Sequence, residues 1–166
     1  LQQTARAYNQ DMGIVSAFEP IDTYSGHALD PEVSNQTVQD VVFYLRTLKT
    51  PVPRAQGEAA ISAGKMLFDQ IGCAGCHRPT LRTGPSPIAA LAFREIHPFT
   101  DLLLHDMGPE LDDGYTEGSA TSAEWRTPPL WGLGLSKDAQ GGRYFLLHDG
   151  RAGSIEAAIL LHGGEG

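Results

Sequence analysis

The sequence predicts an all-α chain of short helices joined by long ordered loops. Three observations carry this expectation. Apolar residues recur at helical spacing in three separate segments. Between those segments the chain is punctuated by many of its 19 glycines and 11 prolines, the residues that most often break regular structure. A C-x-x-C-H run, Cys73-Ala74-Gly75-Cys76-His77, follows directly on the second of these helices and contains the only 2 cysteines in 166 residues. A chain of this length, 41% hydrophobic, can bury one respectable core and part of a second.

Taken in order, residues 1–33 read as irregular, interrupted by Pro20, Gly26 and Pro31. A helix then starts with Thr37 as N-cap and Asp40 at N3. It carries Val38, Val41, Val42, Leu45 and Leu48 on its apolar positions, with Arg46 and Lys49 near its end. Pro51-Val52-Pro53 stops it, and residues 51–57 read as a linker. The second helix, residues 58–71, presents Ile61, Gly64, Leu67, Phe68 and Ile71 on one broad face, and Met66 is expected in core packing. Glycine inside a helix costs up to about 1 kcal/mol, so Gly64 implies a close packing partner. Residues 77–98 read as loop with a short apolar patch at 88–93. Residues 99–108 read as a short turn of helix, and 125–134 as proline- and glycine-rich loop. A last helix starts at Ser154, with Glu156 in its first turn and Ile155, Ala158, Ile159 and Leu161 behind it.

The chemistry lies in the C-x-x-C-H run. Two thiols three residues apart can each form a thioether to one vinyl group of a haem, and the following imidazole then sits under the iron. Cys73 and Cys76 are therefore the expected attachment points of one covalent haem c, and His77 the proximal iron ligand. A zinc site would need further ligands, usually a second Cys/His pair. A thioredoxin-like dithiol would need a strand before it, where residues 64–71 read as helix. Arg126 is a candidate partner for a haem propionate, because guanidinium pairs bidentately with carboxylate. Trp125 and Trp131 are large enough to lie against the ring or to complete a small core. His105 and His148, each followed by an aspartate, read foremost as loop ties and secondarily as groups near the haem.

A net charge of −8 argues against nucleic acid and anionic membrane surfaces, and suits either simple solubility or docking to a basic redox partner. No apolar run approaches the roughly 20 residues of a membrane-spanning helix, and the first residues lack the pattern of a signal peptide. Haem is attached to such motifs outside the cytoplasm, so the chain is expected to be periplasmic, exported by a signal that this sequence does not contain.

Several segments together carry a family resemblance. They are residues 72–77, Phe99-Thr100-Asp101-Leu102-Leu103-Leu104-His105-Asp106-Met107-Gly108, Trp125-Arg126-Thr127-Pro128-Pro129-Leu130-Trp131-Gly132, and residues 145–151 running on to 155–158. In this order they resemble the C-terminal haem region of the bacterial di-haem cytochrome c peroxidase and methylamine-utilisation di-haem enzyme superfamily, closest to its di-haem oxidoreductase (thiol oxidoreductase) group. The resemblance implies a cytochrome c-like domain, with two haems in the whole protein: one open to an oxidant, the other six-coordinate and relaying electrons. It implies that residues 53–166 form the relay domain without its closing helix, and that residues 1–52, ending like a last cytochrome c helix, are the tail of an upstream domain holding the other haem. The redox partner is then that upstream haem domain or a separate protein. The thiol label follows from no residue here.

The second iron ligand has several candidates: Met66, Met107, His27, His97, His105, His148 and His162. Met107 precedes Gly108-Pro109 in a loop, where small cytochromes c place their methionine. His162 is favoured by the resemblance, because residues 155–163 match the family's ligand-bearing helix with His162 at the methionine position. The function so implied is an electron-transfer haem domain of a peroxidase-like di-haem oxidoreductase. The alternatives are a catalytic peroxide site with an open iron, a stand-alone monohaem cytochrome c, and a module without haem.

Overall fold

The structure is a computed structural model and describes residues 1–55 and 57–165. The chain divides into two compact units, Leu1–Lys49 and Thr50–Gly166.

The first unit holds two helices, α1 (Gln2–Met12) and α2 (Asn35–Thr47). α1 falls in the stretch expected to be irregular. Its buried positions are Ala5 and Asn9, four apart, and the rest of the helix is mostly polar, so the apolar period that marks a helix is too thin to see. Gly13 ends it in the left-handed region at φ 69°, where glycine carries no Cβ penalty. α2 begins three residues earlier than expected. Its N-cap is Ser34, whose Oγ accepts from the Thr37 backbone N–H at 3.0 Å. Val38 and Val42 are buried on α2, and Ala5 and Val15 elsewhere in the unit. Asn9 Nδ2 donates to the Ile21 carbonyl at 2.9 Å, tying the loop to α1.

The second unit is not all-α, which corrects the sequence expectation. After α3 (Ala59–Gln70) and a 3-10 turn at Cys73–Gly75, it contains two small antiparallel sheets. β1 (Leu81–Arg82) pairs with β2 (Glu95–Ile96), Leu81 opposite Ile96. β3 (Leu104–Asp106) pairs with β4 (Glu124–Arg126), His105 opposite Trp125. Strands of two or three residues are too short to show an alternating pattern, and their partners lie well along the chain. The segment 99–108 is therefore irregular chain and strand, where a turn of helix was expected. Two helices follow, α4 (Leu133–Ala139) and α5 (Ile155–Leu160), the second capped by Ser154 Oγ accepting from Ala157 N–H at 3.0 Å.

The packing of α3 also differs from expectation. None of its residues is buried, and Met66 is 60% exposed. A Cβ at Gly64 would meet nothing within 4 Å, so no neighbour among the described residues explains that glycine. Phe68 does pack: its ring lies edge-on to Phe99 at 5.8 Å and tilted against His77 at 6.4 Å. The buried side chains of this unit include Leu111, Ala152, Thr100 and Thr127. No helix of the described residues is long and apolar enough to cross a membrane.

Candidate functional site

The 3-10 turn at Cys73–Gly75 ends α3 through Gly72 at φ 92° and carries the chain into His77, whose backbone N–H donates to the Cys73 carbonyl at 2.9 Å. Cys73 and Cys76 are free thiols, both half-buried. The His77 Nδ1–H donates to the Phe99 carbonyl at 3.0 Å. A carbonyl can only accept, so this bond fixes the tautomer and leaves Nε2 with a free lone pair.

The Phe99 carbonyl is held in place by unusual backbone. Phe99 itself sits at φ 56°, a region that bulky residues rarely enter. Its neighbour Thr100 is fully buried and makes the compensating bonds: its N–H donates to the Arg78 carbonyl at 3.1 Å and its Oγ1–H to the Thr127 carbonyl at 2.6 Å. Strain of this kind persists where the surroundings over-determine it.

His162 follows α5. Its Nδ1–H donates to the Ala158 carbonyl at 2.7 Å, which again leaves Nε2 free. The His77 and His162 ring centroids lie 6.4 Å apart, with the ring planes tilted by 54°. Two imidazoles on opposite sides of one metal ion are separated by two metal–nitrogen bonds of about 2.0 Å each plus one ring radius at either end, roughly 6 Å in all. The observed 6.4 Å centroid separation is close to that spacing. Anchoring the distal nitrogen on a backbone carbonyl is how ligating histidines are usually oriented. Burial pushes the His77 pKa below its usual 6.5, the Phe99 carbonyl pulls the other way, and His162 adds to the depression. The neutral ring is the form that ligates.

The turn after His162 is clamped to the loop after β3. Glu165 N–H donates to the Asp106 carbonyl at 2.8 Å. A Cβ at Gly164 would collide with that carbonyl and lie 2.7 Å from the Gly108 nitrogen, so only glycine fits. Met107 and His162 line the same cavity of about 300 Å³ with Gly108, Pro109, Leu160 and Leu161.

Beside the cysteines lies a second constellation. His105 Nε2–H donates to Asp101 Oδ2 at 2.9 Å, while its Nδ1 lies 3.7 Å from Cys76 Sγ and 3.3 Å from Glu165 Oε2. The bond to Asp101 raises the His105 pKa above its usual 6.5. Burial would raise the Asp101 pKa, but the Leu103 N–H and His105 outweigh it and hold the carboxyl below its usual 3.8. Burial, then Asp101 and Glu165, push the Cys76 thiol pKa up.

The other expected residues lie elsewhere. Arg126 is exposed on β4, and among the described residues its guanidinium has no hydrogen-bond or ion-pair partner. Trp131 lines a different cavity, of about 620 Å³, with Arg54, Ile61, His97, Phe99 and Leu133; neither cysteine, His77 nor His162 borders it. Trp125 donates its indole N–H to the Leu111 carbonyl at 2.9 Å and stacks on His148 with centroids 3.5 Å apart. Asp149 pairs with Arg151 at 2.6 Å, and Arg151 reaches the Glu110 carbonyl. His97 Nδ1 meets Thr80 Oγ1 at 3.1 Å. Sequence reasoning missed Phe99 and Ala158 as carbonyl anchors, since a backbone acceptor leaves no residue-type signal. It also missed Asp101 and Glu165, although Asp101 stands four residues before His105.

The family described as "di-haem oxidoreductase, putative peroxidase" matches residues 7–166. The chain belongs to this di-haem oxidoreductase family. The match reaches into both compact units and covers all of the site residues described above. Neither the curated proteins nor the solved structures contain a significant match.

Proposed function

We propose that this chain carries one c-type haem, linked through Cys73 and Cys76, with His77 and His162 as its two iron ligands. The observation that carries this reading is the matched pair of imidazoles, each with Nδ1 tied to a backbone carbonyl and the rings 6.4 Å apart. Bound there, haem supplies one-electron transfer. With both His77 and His162 holding the iron, the site would pass electrons and would not open to peroxide. An imidazole pair also sets a lower reduction potential than a histidine–methionine pair.

The function is then electron relay within a periplasmic, peroxidase-like di-haem oxidoreductase. The family description names two haems and this chain has one C-x-x-C-H run, which supports a second haem as its redox partner. The acidic balance suits a basic docking face on any separate donor. Arg126, exposed and without a protein partner among the described residues, is the candidate for a propionate.

Absorption spectroscopy of the purified holoprotein tests the reading. The haem band should survive acid–acetone extraction, and the oxidised protein should be low-spin without the weak long-wavelength band of sulfur-ligated iron. His162→Gly should turn the iron high-spin and let cyanide bind quickly, and Met107→Leu should change neither ligation nor potential. A sulfur band that disappears in Met107→Leu, with normal behaviour of His162→Gly, overturns the assignment in favour of Met107, which borders the same cavity.

A further inference from the structure

Pro51-Val52-Pro53-Arg54, part of the stretch expected to be a linker, forms one wall of the cavity of about 620 Å³ that Trp131 borders. That volume lies within the range of small-molecule pockets, roughly 300–1,000 Å³. Trp131, Phe99, Ile61 and Leu133 give it aromatic and aliphatic surface. None of Cys73, Cys76, His77 and His162 borders it, and neither the haem reading nor the family membership assigns it a ligand.

Among the described residues, the titratable side chains that line this cavity are Arg54, Glu95 and His97. Two of them are occupied. His97 Nε2 lies 3.6 Å from Glu95 Oε1, and its Nδ1 meets Thr80 Oγ1 at 3.1 Å. Arg54 is different: it is exposed, and among the described residues its guanidinium has no hydrogen-bond or ion-pair partner. A guanidinium stays charged and offers a planar fork of donors that matches a carboxylate. Its place is set by close approaches. Pro51 and Pro53 each fix φ in the arm that carries it. A Cβ at Gly132, which sits at φ 78°, would lie 3.0 Å from Pro51 Cγ, and a Cβ at Gly134 would lie 2.8 Å from Arg54 Nη2. Glycine at both positions lets the proline arm and the guanidinium lie against the chain after Trp131.

We propose that this cavity binds an aromatic monocarboxylate. Arg54 takes the carboxylate through two parallel N–H···O bonds. The ring packs against Trp131 and Phe99, where offset or edge-on contact between aromatic groups is favourable. Glu95 lines the same cavity and repels a second anionic group, which sets the preferred ligand charge at one. Binding is non-covalent and stands apart from the iron ligands proposed above.

Calorimetric titration of the purified full chain, with its haem as isolated, tests the proposal. The probe is naphthoate, compared with neutral naphthamide and with a naphthalenedicarboxylate. We expect one naphthoate per chain, with the amide and the diacid each at least about tenfold weaker. Arg54→Gln should lower naphthoate affinity at least about tenfold and leave the amide unchanged. Gly134→Ala keeps the charge but puts a methyl group where the guanidinium lies. Alanine is the better helix former, so α4 is retained, and naphthoate should again bind more weakly with the amide unchanged. This variant decides the question if Arg54→Gln fails to fold. No saturable naphthoate binding, acid and amide bound alike, or wild-type naphthoate affinity in Arg54→Gln overturns the proposal. Wild-type naphthoate affinity in Gly134→Ala overturns the placement of the carboxylate on Arg54. A diacid bound as tightly as naphthoate overturns the preference for a single charge.

Discussion

The two units of this chain are held together by different means. In Leu1–Lys49, two helices enclose Ala5, Val38 and Val42, and Val15 and Ser16 are buried in the loop between them. Apolar burial of this kind contributes roughly 25 cal/mol per Å², and it needs nothing beyond the chain. Thr50–Gly166 is larger, yet its fully buried apolar side chains are Leu111 and Ala152. Neither α3 nor α5 buries a residue, and Ile61, Leu67, Ile71, Ile155 and Ile159 are exposed. What joins its parts is hydrogen bonding between distant segments: Thr100 to Arg78 and Thr127, His77 to Phe99, Glu165 to Asp106. Such bonds contribute about 0.5–1.5 kcal/mol each, so a unit built on them leans on any group that binds its side chains. The difference teaches where the haem should matter for folding as well as for function.

The largest expected effect follows at once. Replacing both Cys73 and Cys76 with alanine should loosen the second unit and spare the first. Limited proteolysis followed by mass spectrometry should show cleavage beyond residue 50 early in the double variant, with a fragment near residues 1–49 surviving. In the wild-type holoprotein both units should resist. A haem-free chain whose second unit keeps a cooperative thermal transition would break the comparison.

A smaller effect sharpens it. Leu111 is the largest fully buried side chain among the described residues, and its carbonyl also accepts the Trp125 indole N–H at 2.9 Å. Leu111→Ala should cost about 2–5 kcal/mol. The loss should appear in chemical unfolding of the second unit, followed through Trp125 and Trp131, and not in proteolysis of residues 1–49. Equal destabilisation of both units by this one change would mean that they unfold together.

What was legible in the sequence follows the same division between local and distant. The C-x-x-C-H run names its chemistry because spacing and residue type coincide within five residues. α3 and the start of α5 at Ser154 were legible for a similar reason, an apolar period contained within a few turns of chain. The β3–β4 pairing was not, because three-residue strands show no period and their register is set by residues about 20 positions away. α1 was hidden by its polarity, and α2 was started late because Ser34 and Thr37 are both good caps and only the geometry selects Ser34. His162 could be proposed from the resemblance, but its lying close to His77 could not be read from either residue. The anchoring carbonyls of Phe99 and Ala158 lie on the backbone, which every residue shares.

The smallest expected effect is the most discriminating, because one chemical change can be made in both units. Ser34 caps α2 and Ser154 caps α5, each through Oγ accepting a backbone N–H at 3.0 Å. Replacing either with alanine should cost about 1 kcal/mol of helix stability. In the first unit that cost should be visible only as a lower unfolding midpoint, since α2 lies 13 residues long on its own buried valines. In the second unit the same cost falls on a helix of 6 residues, which is marginal without its cap. The Ala158 carbonyl that orients His162 lies within that helix, so fraying of α5 releases the ligand we propose. At 1.4 kcal/mol per factor of ten, about 1 kcal/mol should raise the fraction of iron with His162 detached by roughly fivefold. Ser154→Ala should therefore speed cyanide binding to the oxidised holoprotein by that factor, and Ser34→Ala should leave it at the wild-type rate. If the two variants bind cyanide equally fast, α5 does not hold His162 on the iron, and the link between the cap and the iron fails.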